Sequence, residues 1–445
     1  MKTWDKGNRL HAGVEAFTVG RDREFDLMIA DYDVLGSIAH VMMLESVGLL
    51  DPGEAAKLVA ELRKIHSIIM AGQFTISDDA EDVHSQLEKM LTDALGDTGR
   101  KVHTGRSRND QVLLDIQMLI RHEINAIVTL IRSLFDVLIR RSDETMEFFL
   151  PGYTHMQTAM PASFGLWFGA YAEALADDVV ILSSAWKLAD QNPLGSAAGF
   201  GTSLPLNRRL TTELLGFEDL RYNVLAAQMM RGKIEYIAAS ALSALCATLG
   251  RFAADICLYN SQNFSFISLP EEFTTGSSIM PHKKNPDLFE LVRGKCNRIR
   301  ALPGDIAMVT TNLPSGYHRD FQLIKELLFP AFEEVRGMLG ILITATRDMN
   351  VNTAIAGGEQ YKEVFSVEEV NRLVMEGVPF REAYRKVAEM IQDGSYRHDN
   401  PASYTHEGST GNLCNKEISA KMKDYAGSLD YARVEKAYKA LLGKS

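Results

Sequence analysis

The sequence predicts an all-α chain in three parts: an N-terminal helical domain over residues 1–104, a central bundle of about five long helices over 105–350, and a small helical domain over 351–445. Three observations predict it. From Arg106 to Leu150 there is neither Gly nor Pro, and apolar residues recur at helical spacing. Strand signals are nearly absent. After Asn350 the helical runs shorten and polar loops such as "QDGSYRHDNPASYTHEGSTGN" increase.

The first part opens its helices with clear signals. In "DPGEAAKLVAELRKIHSIIMAG", Asp51 is placed to cap, Pro52 suits the first helical position, and Glu54 completes a capping box. Ala55, Leu58, Val59, Leu62, Ile65 and Ile69 share one face, and Gly72 is a natural stop. In the central run Val112, Ile116, Leu119, Ile127, Ile131, Leu134 and Leu138 keep the helical period. An unbroken helix from Arg106 to Leu150 spans roughly 65 Å at about 1.5 Å per residue. Further long helices are expected over Ala162–Asp190, Asp219–Asn263, Pro286–Leu302 and Phe321–Asn350, the last kinked near Pro330. Helices this long, apolar over much of their circumference, need partners on several sides, including other subunits. "NPLGSAAGFGTSLPLN" breaks the bundle as a loop. Its glycines follow no predicted strand, so a dinucleotide site is not expected there.

The chain has 445 residues and a net charge of −11. That balance argues against a broad nucleic-acid surface, which needs clustered Lys and Arg. An anionic ligand must be met by a local basic site. The four cysteines are scattered and form no CxxC, so free thiols in a reducing, cytoplasmic setting are expected rather than a disulfide or metal framework. "MKTWDKGNRL" lacks the apolar core of a signal peptide. The longest uncharged helical run, Tyr236 to Gly250, is shorter than the roughly 20 residues that cross a bilayer.

Several polar stretches stand out. In "TTGSSIMPHKKN" before Pro286 and Asp287, Asn285 is placed to cap a helix, with Lys283, Lys284 and amide donors facing one place, Ser277 and Ser278 beside flexible Gly276, and Glu290 one turn in. By itself the stretch reads first as a solvated basic loop that caps a helix. "KVHTGRSRNDQ" sets Arg106, Ser107, Arg108 and Asn109 before the long helix, where capping and anion binding are equally good explanations. "PGYTHMQTAMP" holds Thr154, His155 and Gln157 on a loop bracketed by Pro151 and Pro161; a lone His is more often structural, yet it is also the commonest proton carrier near neutral pH. In "EDVHSQLEKML", His84 and Glu88 share a helix face; with no second His nearby, a structural pair or a substrate contact is expected rather than a metal site. "LPSGYHRDFQLIKE" offers Tyr317, Gln322 and Lys325 at a helix entry.

Together "HTGRSRNDQ", "PGYTHMQ", "GSSIMPHKKNPD" and "YHRDFQLIKE", in this order, resemble the argininosuccinate lyase family, within the superfamily of fumarase, aspartase and adenylosuccinate lyase. "GSSIMPHKKN" is shared across the superfamily; "TGRSRNDQ" and the Tyr317–Gln322–Lys325 pattern point to this member. The resemblance runs from about Phe17 into the C-terminal part. It implies an all-helical homotetramer whose core takes five long helices from each subunit, with every active site built by three subunits. It implies reversible cleavage of argininosuccinate to arginine and fumarate without a cofactor or metal. By the same resemblance Ser277 is the general base, and Lys283 and Asn285 bind the carboxylate beside the carbanion. His155 with Glu290 is the pair assigned to the acid side. Ser107, Arg108, Asn109, Thr154, Tyr317, Gln322 and Lys325 are substrate contacts, and Asp26 and His84 fall at matching positions.

Three departures bear on substrate contacts. Asp22 stands where the family places a serine, Met156 and Met160 replace Leu and Gln, and the glycines of the 192–208 loop are placed differently. The alternatives are another fumarate-releasing lyase of the superfamily, or a non-catalytic crystallin-like member. His155, Ser277 and Lys283 argue against the latter.

Overall fold

The computed structural model describes residues 11–397 and 404–444. The N-terminal decapeptide, and part of the polar stretch after Gln392, lie outside the described residues. The central helix covers Arg108–Glu144 and holds 37 residues, roughly 55 Å at about 1.5 Å per residue. It starts where it does because Ser107 and Asp110 form a reciprocal capping box: the Ser107 hydroxyl accepts from the helix start, and the Asp110 carboxylate accepts from the Ser107 N–H. It ends six residues before the predicted end, at Leu150, because the chain turns into a strand at Phe149.

Four more long helices pack with it: Phe164–Ala189, Lys233–Tyr259, Asp287–Val309 and Leu323–Asp348. Each touches the next, and Leu323–Asp348 returns to Arg108–Glu144, so the five close a ring around one core. Phe164, Phe168, Phe252, Phe289, Phe329 and Phe332 fill it and are fully buried. The helix Ala30–Ser46 lies against Arg108–Glu144, and Pro52–Met70 lies against Ala30–Ser46. Asn415–Gly427 packs on Phe164–Ala189, and Tyr431–Leu441 on Ala30–Ser46, so the main core draws on residues from both ends of the chain. Ser366–Met375 and Phe380–Gln392 form a separate small core around Val370, Ala383 and Val387.

Several boundaries differ from the sequence expectation. The expected helix from Asp219 to Asn263 is broken: Asp219–Leu220 is a short strand, Val224–Gln228 a short helix, and Gly232 (φ 78°) resets the chain before Lys233. Gly232 is needed there, since a Cβ would sit 2.5 Å from Thr310 Cγ2. Pro303 lies inside Asp287–Val309, which was expected to stop at Leu302, and Pro330 lies inside Leu323–Asp348. Asn285 does not cap: Pro286 holds that position, and the Asn285 amide turns back towards Thr275 and Gly276. At Pro52–Met70 Asp51 caps and Pro52 opens the helix as expected, with Asp51 accepting from Gly53 N–H at 2.8 Å, but the expected capping box with Glu54 does not form in full, because the Glu54 carboxylate pairs with Lys101.

"PGYTHMQTAMP" is not a loop but a hairpin, Phe149–Thr154 paired antiparallel with Gln157–Ser163. His155 (φ 54°) and Met156 (φ 61°) form the two-residue turn. Positive φ at both positions is what the right-handed twist of a tight hairpin demands. The prolines are tolerated because this ribbon has only two strands. The glycine stretch does follow a strand, Gln191–Asn192, of just two residues. Lys233–Tyr259 is longer and more apolar than the uncharged run suggested, and meets the length and hydropathy of a membrane span. Half of its most apolar window is buried inside this chain.

Candidate active site

A cleft of about 130 Å³ gathers polar side chains from four segments: Asp22 and Asp26, Glu81 to His84, Arg108 and Asn109, and Tyr317 to Lys325. Of the residues singled out in the sequence, Asp26, His84, Arg108, Asn109, Tyr317, Gln322 and Lys325 line it. Ser107 sits at the start of the long helix, where its hydroxyl accepts from Asn109 N–H at 3.2 Å as a cap.

The cleft is organised by buried charge pairs. Lys325 is 5% exposed and donates to Asp26 Oδ1 at 2.5 Å and Asp22 Oδ1 at 2.8 Å. Burial alone would lower its pKa, but the Asp26 and Asp22 carboxylates outweigh it and hold the ammonium charged well above its ordinary range. Asp22, the departure from the family pattern, is therefore a partner of Lys325. The second Asp26 oxygen accepts from Val83 N–H at 3.1 Å, which ties Asp26 to the start of the helix Val83–Leu95. Arg108 reaches Glu81 and Asp82 at 3.1 Å and Ser85 Oγ at 2.7 Å. Arg319 bridges Glu81 at 3.0 Å to the Thr18 carbonyl at 2.9 Å. Gln322 donates to the carbonyls of Thr18 and Val19 at 3.1 and 2.9 Å.

His84 Nδ1 lies 3.0 Å from Asp33 Oδ2 and 3.8 Å from Asp115 Oδ2. Burial pulls its pKa down, yet the carboxylates of Asp33, Asp82 and Asp115 prevail and raise it to about 9. Its hydrogen-bond partner is not the expected helix-face residue Glu88 but Asp33, from another helix. Among the described residues, Asp33, His84 and Asp115 bring three ligand-type atoms within 4.8 Å of one another. The positive charge of Arg106 acts on both carboxylates, so cations of the protein already balance this set.

The remaining predicted residues are elsewhere on the chain and do not line this cleft. Thr154 and His155 are exposed at the hairpin tip. Ser277, Lys283 and Asn285 belong to a loop closed at its base by pairing of Thr275 with Asn285. Ser277 Oγ accepts from Ile279 N–H at 3.4 Å and Met280 N–H at 3.2 Å, while Lys283 is exposed. Lys284 is drawn away to Glu271 at 2.7 Å, and Glu290 is exposed one turn into the next helix. In one chain, then, half of the expected site is a buried charged cleft and half is presented on projecting segments.

A family described as lyase matches residues 14–301. Argininosuccinate lyase of Bacteroides fragilis is 54% identical over 444 residues, covering 100% of this chain and 99% of the relative. The chain belongs to the argininosuccinate lyase family. The argininosuccinate lyase of Thermotoga neapolitana is 38% identical over 87% of this chain and 98% of its own length. The fold of the lyase is shared with an EDDS lyase crystallised with formate (TM-score 0.75, 20% identity, 98% of this chain and 94% of that one). It is also shared with class II fumarase from Schistosoma mansoni (TM-score 0.71, 19% identity, 86% and 88%). The family is one of carbon–nitrogen lyases.

Several groups in this lyase escaped the sequence reading, among them Glu81 and Asp82, which line the cleft and pair with Arg108. Asp33 and Asp115 come to His84 from two other helices and carry no local motif. Arg319 stands inside a quoted stretch but was passed over. Asp110 caps the long helix and also accepts from Gly195 N–H at 3.0 Å and Ala197 N–H at 2.8 Å, which pins the glycine loop to the cleft-side end of the bundle. The "GRSRNDQ" stretch that contains it was the available signal.

Proposed function

We propose that the chain catalyses the reversible elimination of argininosuccinate to L-arginine and fumarate; the relatives it matches are named argininosuccinate lyases. The observation that carries this is the cleft, whose Lys325, Arg108, Asp26 and Gln322 are held in place by buried partners on a chain 54% identical to a named argininosuccinate lyase. A substrate with three carboxylates, a guanidino group and an amine needs fixed cations, anions and amide donors together.

In the proposed reaction a base removes the proton from the carbon beside a carboxylate. The electron pair spreads into that carboxylate, then returns to form the fumarate double bond as the carbon–nitrogen bond breaks. The leaving guanidine nitrogen takes a proton. Ser277 is the proposed base. It must be ionised by nearby positive charge, because a hydroxyl is otherwise a weak base. Lys283 and Asn285 stabilise the charge on the carboxylate, the kind of preorganised electrostatics that usually dominates catalysis. His155, with Glu290, is the proposed acid side, and Ser107, Arg108, Asn109, Thr154, Tyr317, Gln322, Lys325, Asp26 and His84 hold substrate. No cofactor or metal takes part.

This assignment requires a homotetramer, since the hairpin and the Ser277 loop must be delivered to clefts of other subunits. The exposed apolar side chains of the long helices support it: Val180, Ile181, Leu188, Tyr236, Leu291 and Met308 lie on them. The three-part division at 104 and 350 and a cytoplasmic location, with four unbridged cysteines, belong to the same reading. The deciding experiment mixes the purified protein with argininosuccinate, adenylosuccinate, malate or aspartate. Fumarate, or for adenylosuccinate AMP as well, is followed in the ultraviolet. Fumarate from argininosuccinate alone is the expected result; its absence would sink the proposal.

A further inference from the structure

His84 is 7% exposed and lines the cleft with one edge, while its Nδ1 is turned inward. Among the described residues its Nε2 meets no hydrogen-bond partner, so this nitrogen is the one left for a ligand. Behind the ring, Asp33 is 1% exposed and fully committed: Oδ2 faces His84 Nδ1 at 3.0 Å, and Oδ1 accepts from Gln111 Nε2 at 2.6 Å. Asp115 is 0% exposed, neither of its oxygens has a hydrogen-bond partner among the described residues, and Oδ2 lies 3.8 Å from the same Nδ1. A carboxyl group placed dry and unpaired is costly, and it stays only where the surrounding charge or proton requires it. Two carboxyl groups converging on one ring nitrogen require a proton on that nitrogen.

We infer that Asp33, backed by Asp115, holds the His84 imidazole doubly protonated and oriented, so that Nε2–H is presented to the cleft as a fixed cationic donor for a substrate carboxylate. This rests on the proposed lyase activity, and makes Asp33 and Asp115 positioning residues. The charged surroundings agree. Asp82, the cap of the helix that carries His84, adds a third negative charge. Against its burial, His84 itself, by its charge and its hydrogen bond, and then the Arg106 cation hold Asp33 ionised. His103, the other imidazole in range, has its pKa lowered to about 4 by burial and by the Arg106 and Arg108 cations, so it stays neutral and does not compete. Burial and the neighbouring Asp33 charge push Asp115 up, so Asp33 is the carboxylate that carries the charge facing the raised His84.

The sequence allows a clean test, because Asp33→Asn can be satisfied in place. Gln111 Oε1 is buried and without a partner among the described residues, so a flipped Gln111 amide can accept from the new Asn amide while the Asn oxygen keeps the His84 Nδ1–H. The measurement is kcat/KM for argininosuccinate from pH 6 to 10, on the full-length enzyme and on Asp33→Asn. In the unaltered enzyme an alkaline limb near the raised His84 value is expected, absent in His84→Gln. In Asp33→Asn that limb moves down by at least one unit, so the loss is at least tenfold greater at high pH than at pH 6 and falls mostly on KM. A loss that is uniform across pH, or an unmoved limb, overturns the inference. Should Asp33→Asn fail to fold, Asp115→Asn and the unaltered protein decide. Magic-angle-spinning 15N spectra of histidine-labelled enzyme, with His84→Gln as the reference for assignment, show both ring nitrogens protonated at pH 7.5 if the inference holds. A neutral ring there overturns it, as does activity that tracks a stoichiometric divalent metal and vanishes on chelation. If the unaltered enzyme does not cleave argininosuccinate, the proposed function fails, while the 15N spectra still decide the state of His84.

Discussion

At the scale of single residues, position decides whether a polar side chain is chemistry or scaffold. Ser277 and Lys283 project from a loop whose base is closed and whose tip is free, with Ile279 at 82% exposure. Ser277→Ala is expected to abolish turnover while substrate still binds; kinetics and calorimetric binding on one preparation check this, and near-normal turnover removes Ser277 as the base. Lys283→Met is expected to lower kcat by a factor of at least about a hundred, because its charge is wanted where the carbanion develops. A change confined to KM would make it a simple binding residue. His40 is the opposite case, fully buried with Nε2 against the Thr104 carbonyl at 2.8 Å. Burial, then the Arg106 cation, lowers its pKa from 6.5 to about 3. The unfolded chain therefore takes up this proton near pH 6.5 and the folded chain does not until about pH 3, so stability is lost as pH falls through that window. His40→Gln is expected to flatten the fall of the urea midpoint between pH 6.5 and 4 relative to the unaltered protein; equal slopes would contradict this.

At the scale of elements, the helix starts do the positioning. The start of Arg108–Glu144 carries Arg108 and Asn109 into the cleft and, through Asp110, fastens the glycine loop. Asp110→Ala removes the acceptor for the N–H groups of Ser107, Gly195 and Ala197 together. It is expected to cost about 1–3 kcal/mol, the usual penalty for buried donors left unpaired. Urea titration measures the loss, and limited proteolysis is expected to cut first within 195–201; unchanged stability would show that the capping box is dispensable. The hairpin makes the contrary point. Nothing in "YTHMQ" announces a two-residue turn, since His and Met lack the usual Asn-Gly preference for positive φ. Its cross-strand pairing, joined to the aromatic contacts of Tyr153 with Phe264 and Phe266, overrides local preference.

At the scale of the whole molecule, the ring of five helices buries its interior and leaves apolar side chains outside. Subunit exchange tests what those faces are for. Take two inactive variants, His155→Asn and Ser277→Ala, and refold them together so that subunits mix at random. If different subunits supply the two groups to a site, each group is intact in about half of the sites, and about one quarter of sites are whole. Each variant refolded alone should stay inactive. No recovery despite mixed tetramers would mean that one chain supplies both groups, which the shared-site proposal does not allow.

The sequence by itself determined the helical class, the long central helix and the segments from which the cleft is built. Those properties follow from short-range rules: the helical period of apolar residues, capping residues, and cations clustered at helix starts. "GRSRNDQ" and "YHRDFQLIKE" showed Arg108, Asn109, Tyr317, Gln322 and Lys325 because each motif is local. The tertiary structure alone decided what these groups meet. Asp22 and Asp26 lie about three hundred residues from Lys325 along the chain, and Asp33 and Asp115 reach His84 from separate helices. Local spacing says nothing about such pairs, because a buried charge takes whatever opposite charge the packing of other elements brings to it. The same holds for the break at Gly232, where the deciding neighbour is Thr310 at the end of another helix. Packing across the bundle, which no window of sequence contains, turned a row of separate polar motifs into one charged cleft and left the Ser277 loop and the His155 hairpin facing outward.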